Sequence, residues 1–232
     1  MAATPHPDLT DIGACVFDAY GTLFDVAAAA ARCNDALGDK AGPLAEIWRT
    51  KQLQYTWLRT LMEEYQDFWH VTGHALDYAM ESLSIKDDAL RARLMDLYLR
   101  LDAYPEVKGM LEALSGAGVT TAVLTNGSTT MVTAAVRSAG IYPLLDHRIS
   151  VDRLEIYKPD RRVYQMAVDD TGVEAGRICF MSSNAWDVCG AANFGFKAVW
   201  VNRFGQPAEK LPGAPVAELK SLEPLPALLG IG

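Results

Sequence analysis

The sequence predicts an α/β protein whose parallel sheet of five or more strands is interrupted, after the first strand, by a helical insertion. Three observations carry that expectation. Short apolar runs of strand length alternate with helix-period segments, the pattern of a parallel sheet with right-handed crossovers. Strand character is lost between residues 26 and 105, where helical spacing and aromatic residues take over. Chemistry-bearing residues then recur beyond the predicted strands: Asp18, Thr125, Lys158 and Asp187 fall on the carboxyl edge, where an open parallel sheet gathers ligands.

The first strand is the apolar run Ala14 to Phe17, which opens the stretch VFDAYGTLFD from Val16 to Asp25, with Gly21 marking a turn. Asp18 stands at its carboxyl end, a candidate for chemistry or, equally, a cap for the following helix. In the insertion, Leu58, Leu61, Met62, Tyr65, Phe68 and Trp69 follow helical spacing and are expected to form bundle core. Arg49 and Arg59 lie beside that surface, and either can snorkel to water. His70 and His74 are one helical turn apart, but no Glu follows His70 and Gly73 weakens a helix there, so no metal site is expected.

Pro105 closes the insertion, and a helix from about Glu106 to Ala117 leads into the strand VTTAVLT. That strand ends in Thr125, Asn126, Gly127 and Ser128, small polar residues suited to an anion-binding nest, a helix cap, or both. A third strand around Arg148 to Val151 precedes Tyr157, Lys158, Pro159 and Asp160, with Pro159 placed to open a helix containing Tyr164. The fourth strand, Ile178 to Met181, delivers Ser182, Ser183, Asn184, Trp186 and Asp187 to the same edge. Lys197 to Val201 is the fifth, Gln206 to Pro215 is a Pro-rich loop, and the tail reads as a short helix. Residues 1–25 and 106–232 are therefore expected to form the core domain and 26–105 a second, helical domain.

Composition bounds the partners. The chain has 232 residues, half of them apolar, which argues for a substantial core. Its 21 Lys and Arg against 29 Asp and Glu leave a net charge of −8, unfavourable for nucleic acid, so an anion site must be built locally from basic side chains and backbone N–H groups. The opening MAATPHPDLTDIGA has no basic or apolar leader character and no apolar run is long enough to span a bilayer, so a cytoplasmic protein without membrane partners is expected. Cys15, Cys33, Cys179 and Cys189 show no C-x-x-C spacing and read as small buried hydrophobes.

With these residues in hand, the chain resembles the haloacid dehalogenase superfamily and, within it, the L-2-haloacid dehalogenases. The resemblance rests on D-x-Y-G-T-L-F-D, a strand ending T-N-G-S, Y-K-P-D and S-S-N-A-W-D in this order, and on W-R-T-K-Q-L-Q-Y-T-W-L-R within the insertion. It implies a Rossmann-like core with a helical cap domain over the active site, a homodimer, and hydrolysis of short L-2-haloalkanoic acids to D-2-hydroxy acids with inversion, without metal or other cofactor. The implied nucleophile is Asp18, which forms an ester at C2 of the substrate. Asp187, near Lys158 and Asn184, is expected to activate the hydrolytic water, as a weak base because Lys⁺ keeps it ionised. Arg49 with Asn126 would receive the halide, and Thr125, Lys158 and backbone N–H groups the substrate carboxylate. Tyr20, Leu53, Phe68 and Trp186 would line the apolar side of the pocket, with Thr22, Tyr164 and Ser182 as polar supports.

The sequence departs from the superfamily's phosphatases at two places. They resemble D-x-D at the first motif, where this chain has Tyr20, and G-D-x-x-x-D at the fourth, where it has Ser183. Halide needs no general acid to leave, whereas phosphoryl transfer needs a cation, so both departures suit carbon–halogen cleavage. A small-molecule phosphatase is the alternative, and a non-catalytic binding module a further one. Thr125 stands where the dehalogenases usually have Ser; its hydroxyl survives, and its methyl narrows the pocket.

Overall fold

The computed structural model describes residues 5–26 and 34–231. Cys33 and the first four residues of the opening segment, on which expectations were placed, lie outside the described residues. The core is a six-stranded sheet formed by β1 (Ala14–Phe17), β2 (Thr120–Thr125), β3 (His147–Ser150), β4 (Ile178–Ser182), β5 (Lys197–Val201) and β6 (Ala217–Leu219), in the order β3-β2-β1-β4-β5-β6. Every pairing is parallel. All four residues of β1 are buried, as a central strand covered on both faces requires. The sixth strand is beyond the five read from the sequence; it is a three-residue edge strand that follows the Pro-rich loop.

The order reverses at β1, which pairs with β2 on one side and β4 on the other, with Phe17 opposite Val123 and Met181. Such a switch point opens a crevice at the carboxyl ends of the strands. The Asp18 N–H donates to the Met181 carbonyl (2.8 Å), which carries the β1–β4 ladder one residue past the strand and sets Asp18 at the crevice.

The insertion is built on α1 (Ala41–Met62), α2 (Phe68–Ser82) and α3 (Asp88–Leu97). α1 and α2 are tied by polar bonds as well as apolar packing: Trp48 Nε1 donates to the Thr72 carbonyl (2.9 Å), and Gln52 Nε2 donates to Thr72 Oγ1 (2.8 Å). α1 ends at Glu63, whose φ of 58° is left-handed, and α2 starts afresh at the Asp67 cap, which accepts from the His70 N–H. The single apolar stripe read across Leu58 to Trp69 is therefore wrong. The turn divides it: Phe68 is buried on α2, whereas Leu58, Leu61 and Met62 are 51%, 80% and 67% exposed on the last turns of α1. Arg59 lies there too, donating to the Glu64 carbonyl (3.1 Å). The His70 ring sits 2.9 Å from Asp67, a local capping contact.

The chain returns to the core where the Asp25 N–H meets the Asp102 carbonyl (3.0 Å) and the Tyr104 N–H meets the Leu23 carbonyl (2.9 Å). It continues through α4 (Val107–Gly116), α5 (Thr129–Ser138), α6 (Arg161–Thr171), α7 (Ala185–Phe194) and α8 (Leu225–Leu228). Ser128 caps α5, and Asp160 caps α6 by accepting from the Arg162 N–H (2.9 Å). Pro159 therefore does not open α6, contrary to the sequence reading. An Asp acceptor satisfies a first-turn donor that proline cannot reach, so Pro159 is left before the cap, after a cis peptide bond to Lys158. Cys15, Cys179 and Cys189 are free and buried. No helix among the described residues is long and apolar enough to cross a membrane.

Candidate active site

Four loops meet at the β1/β4 crevice, and each follows the carboxyl end of a strand. Lys158 is the hub. Its ammonium group is buried and donates to Asp187 Oδ2 (2.8 Å) and Asp18 Oδ1 (3.2 Å), bridging two carboxylates that lie far apart in sequence. Burial works against its charge, but the Asp18 and Asp187 carboxylates outweigh burial and hold the ammonium above its ordinary range. The Lys158 backbone N–H donates to Asn126 Oδ1 (3.0 Å), which fixes the loop after β2 against the Lys158 loop.

The two oxygens of Asp18 are treated differently. Among the described residues Oδ1 meets Lys158 alone, while Oδ2 accepts from Asn184 Nδ2 (2.9 Å), Thr22 Oγ1 (3.3 Å) and Ser182 Oγ (3.4 Å). Thr22 is itself held by the Ser183 N–H, which donates to its Oγ1 (2.8 Å). Asn184 turns its amide to Asp18 and its carbonyl to Arg49, whose Nη2 donates to Asn184 Oδ1 (2.8 Å) while Nη1 donates to Gln52 Oε1 (2.8 Å). The cap arginine thereby reaches the core loop through a planar, fixed fork.

Asp187 lies behind Lys158, fully buried, with Oδ1 accepting from the Tyr164 hydroxyl (2.8 Å). Burial pushes its carboxyl up to about 6, against the opposing pull of Lys158 and Tyr164 and with the Asp18 charge adding to the rise. The expectation of a base weakened by Lys⁺ is thus corrected: desolvation outweighs the ion pair and leaves a carboxylate of greater basicity. Burial and the Asp187 charge together drive the Tyr164 phenol well above its ordinary value, so it stays protonated and donates.

A cavity of about 20 Å³ beside Asp18 is lined by Tyr20, Arg49, Leu53, Phe68, Thr125, Asn126, Lys158, Asn184 and Trp186. All the residues expected to meet substrate or halide, except Tyr164, are therefore gathered on one wall or another. Thr22, Tyr164, Ser182 and Asp187 do not line it; Thr22 and Ser182 bond Asp18 from behind its walls, and Tyr164 bonds Asp187. Thr125 Oγ1 accepts from the Gly127 N–H (2.9 Å), shaping the loop. Gly127 is required there, since a Cβ would come within 2.6 Å of the Tyr20 ring. Tyr20 stacks on Phe68 with centroids 5.9 Å apart, and Trp186 meets Trp57 edge to face at 5.5 Å. Gln52 was not singled out from the sequence, because a glutamine on a helix face ordinarily reads as solvated; here it is fully buried and anchors Arg49. Among the described residues no group of three His, Cys, Asp or Glu is placed to hold a metal ion. Ser183, which stands where phosphatases resemble Asp, offers only a neutral hydroxyl, 3.3 Å from Thr22 Oγ1.

A family model described as haloacid dehalogenase-like hydrolase matches residues 12–195. The chain is 48% identical over 219 residues to (S)-2-haloacid dehalogenase 1 of Pseudomonas sp. (strain CBS-3), covering 94% of this chain and 96% of that protein. It is 48% identical over 197 residues to (S)-2-haloacid dehalogenase 4A of Burkholderia cepacia, covering 84% and 85%. Among solved structures, it is similar to the L-2-haloacid dehalogenase from Xanthobacter autotrophicus with chloropropionic acid covalently bound. That likeness has a TM-score of 0.88 at 35% identity, over 94% of this chain and 98% of that one.

Proposed function

The chain belongs to the haloacid dehalogenase-like hydrolases and, within them, to the (S)-2-haloacid dehalogenases, which act on carbon–halide bonds, and we propose that it turns short L-2-haloalkanoic acids into D-2-hydroxy acids through an ester on Asp18. The observation that carries this reading is the asymmetry of Asp18. Oδ1, met by Lys158, attacks C2 from the face opposite the halogen; the new C–O bond forms as the C–halogen bond breaks, and C2 inverts. The halide leaves with the bonding pair toward Arg49 and Asn126, where the guanidinium offers fixed N–H donors. Thr125, Lys158 and backbone N–H groups hold the substrate carboxylate.

In the ester, Oδ2 of Asp18 becomes the carbonyl oxygen. The three donors on it, Asn184, Thr22 and Ser182, then serve as an oxyanion hole when water attacks the Asp18 carbonyl carbon. Asp187, ionised at neutral pH but more basic than an exposed carboxylate, takes one proton of that water and passes it to the departing alkoxide. The second proton goes to solvent, and Asp18 returns as a carboxylate carrying one oxygen from water. No metal enters these steps, because Lys158 supplies the positive charge between Asp18 and Asp187.

Residues 26–105 act as a cap over a core made of 1–25 and 106–232. The exposed Leu58, Leu61 and Met62 support assembly as a homodimer through the end of α1, since apolar groups clustered there gain from burial. Halide release from L-2-chloropropionate, measured with the D enantiomer beside it, tests the activity. Release from the L form alone is expected. Hydrolysis of a phosphate ester with Mg²⁺ and no halide release would instead favour the phosphatase.

A further inference from the structure

Among the described residues, two cations border the cavity beside Asp18, and they are held in opposite ways. Lys158 is paired with two carboxylates, Asp18 and Asp187. Arg49 is bonded instead to two amide oxygens, Gln52 Oε1 and Asn184 Oδ1, and no carboxylate among the described residues pairs with it. A guanidinium has five N–H donors, so Arg49 keeps an uncompensated charge and donors to spare for an anion.

Gln52 does not line that cavity; it is fully buried on α1, three residues on from Arg49. The direction of its amide is set from α2. Thr72 Oγ1 donates its only hydrogen to the Phe68 carbonyl (2.6 Å), so toward Gln52 it can only accept, and Gln52 Nε2 donates to it (2.8 Å). The amide oxygen is thereby turned to Arg49 Nη1. On the dehalogenase reading above, in which Arg49 receives the halide, we propose that Gln52, oriented by Thr72, is a positioning residue that holds the guanidinium through a neutral acceptor and so reserves its charge for the halide. A carboxylate of the same length at that point would hold Arg49 as firmly. It would stay ionised beside the guanidinium, pair with its charge and weaken its pull on a departing anion.

The test follows halide release from L-2-bromopropionate, and its inhibition by added bromide at constant ionic strength, in the unaltered protein and in Gln52→Glu, Thr72→Val and Thr72→Ser. Gln52→Glu should weaken bromide inhibition and lower kcat/KM, each by about tenfold or more. Thr72→Val keeps the shape of the side chain but leaves a buried Gln52 N–H without its acceptor, so kcat/KM should fall by about fivefold or more. Thr72→Ser loses the methyl, keeps the hydroxyl and should stay within about twofold. This pair decides the matter even if Gln52→Glu does not fold. Bromide inhibition absent from the unaltered protein, or unchanged in Gln52→Glu, would overturn the proposal. So would a larger loss in Thr72→Ser than in Thr72→Val, the order that packing alone gives. No halide release by the unaltered protein would strike the dehalogenase reading itself.

Discussion

Replacing Lys158 with Met keeps the length and volume of the side chain and removes the one cation between Asp18 and Asp187. At 2.8 and 3.2 Å, the two contacts each carry about 5–6 kcal/mol of Coulomb attraction at an effective dielectric of about 20. Much of that offsets desolvation, and deleting one partner of a buried pair costs about 3–5 kcal/mol net, because the abandoned carboxylates take up a proton. The sign with pH follows from Asp187. Burial already raises its folded value from 3.8 to about 6, so the stability linked to its protonation is fully present below 3.8 and is lost as pH rises through about 6. Without Lys158, which lowers that value, the loss extends to higher pH. Urea unfolding from acidic to neutral pH reads the effect directly: at pH 7 the variant should be less stable by about 3–5 kcal/mol, and the gap should narrow as the pH falls toward about 4. Halide release should drop by about a thousandfold. A variant as stable as the parent at pH 7, with kcat within a few-fold, would refute the claim that Lys158 holds both carboxylates and organises the site.

Arg49→Lys should lower kcat by about a hundredfold or more, because a point charge cannot hold Gln52, Asn184 and a departing halide together; initial rates of halide release check this. Asp187 must be ionised to act as a base in ester hydrolysis, so kcat should fall below a pH of about 6, with that acid limb carried by Asp187; Asp187→Asn should lose most of the activity and the limb with it, as a pH profile of kcat will read. Excess EDTA and added Mg²⁺ should both leave dehalogenation unchanged, since Ser183 gives a second-metal-ligand position only a neutral hydroxyl; loss on chelation with recovery on Mg²⁺ would contradict the cation role of Lys158.

The sheet was legible where strands are continuous apolar runs. β1 and β5 have the bounds their sequences imply, and placing Asp18, Thr125, Lys158 and Asp187 at one sheet edge was enough to expect that they converge, although Thr125 is the last residue of β2 rather than beyond it. β6 was not legible because three residues, Ala217–Leu219, are too few to show a period. The insertion was misread at the turn after Met62: helical spacing continues across Glu63 to Asp67 in the sequence, while the chain there changes direction, and periodicity alone carries no signal of that. Within the site, residue identities at the strand ends named the chemistry, but the burial of Asp187 that reverses its expected basicity is a property of packing. Gln52 escaped for the same reason.

The central claim is that Asp18 is consumed and restored in each cycle, and a single turnover in water labelled with heavy oxygen tests it most directly. With protein in excess over L-2-chloropropionate, the first D-2-hydroxy product should carry unlabelled oxygen taken from Asp18, and one atom of label should be found on the Asp18 carboxylate afterwards. Full label in the first product, with none on Asp18, would mean that water attacks C2 itself and would contradict the account.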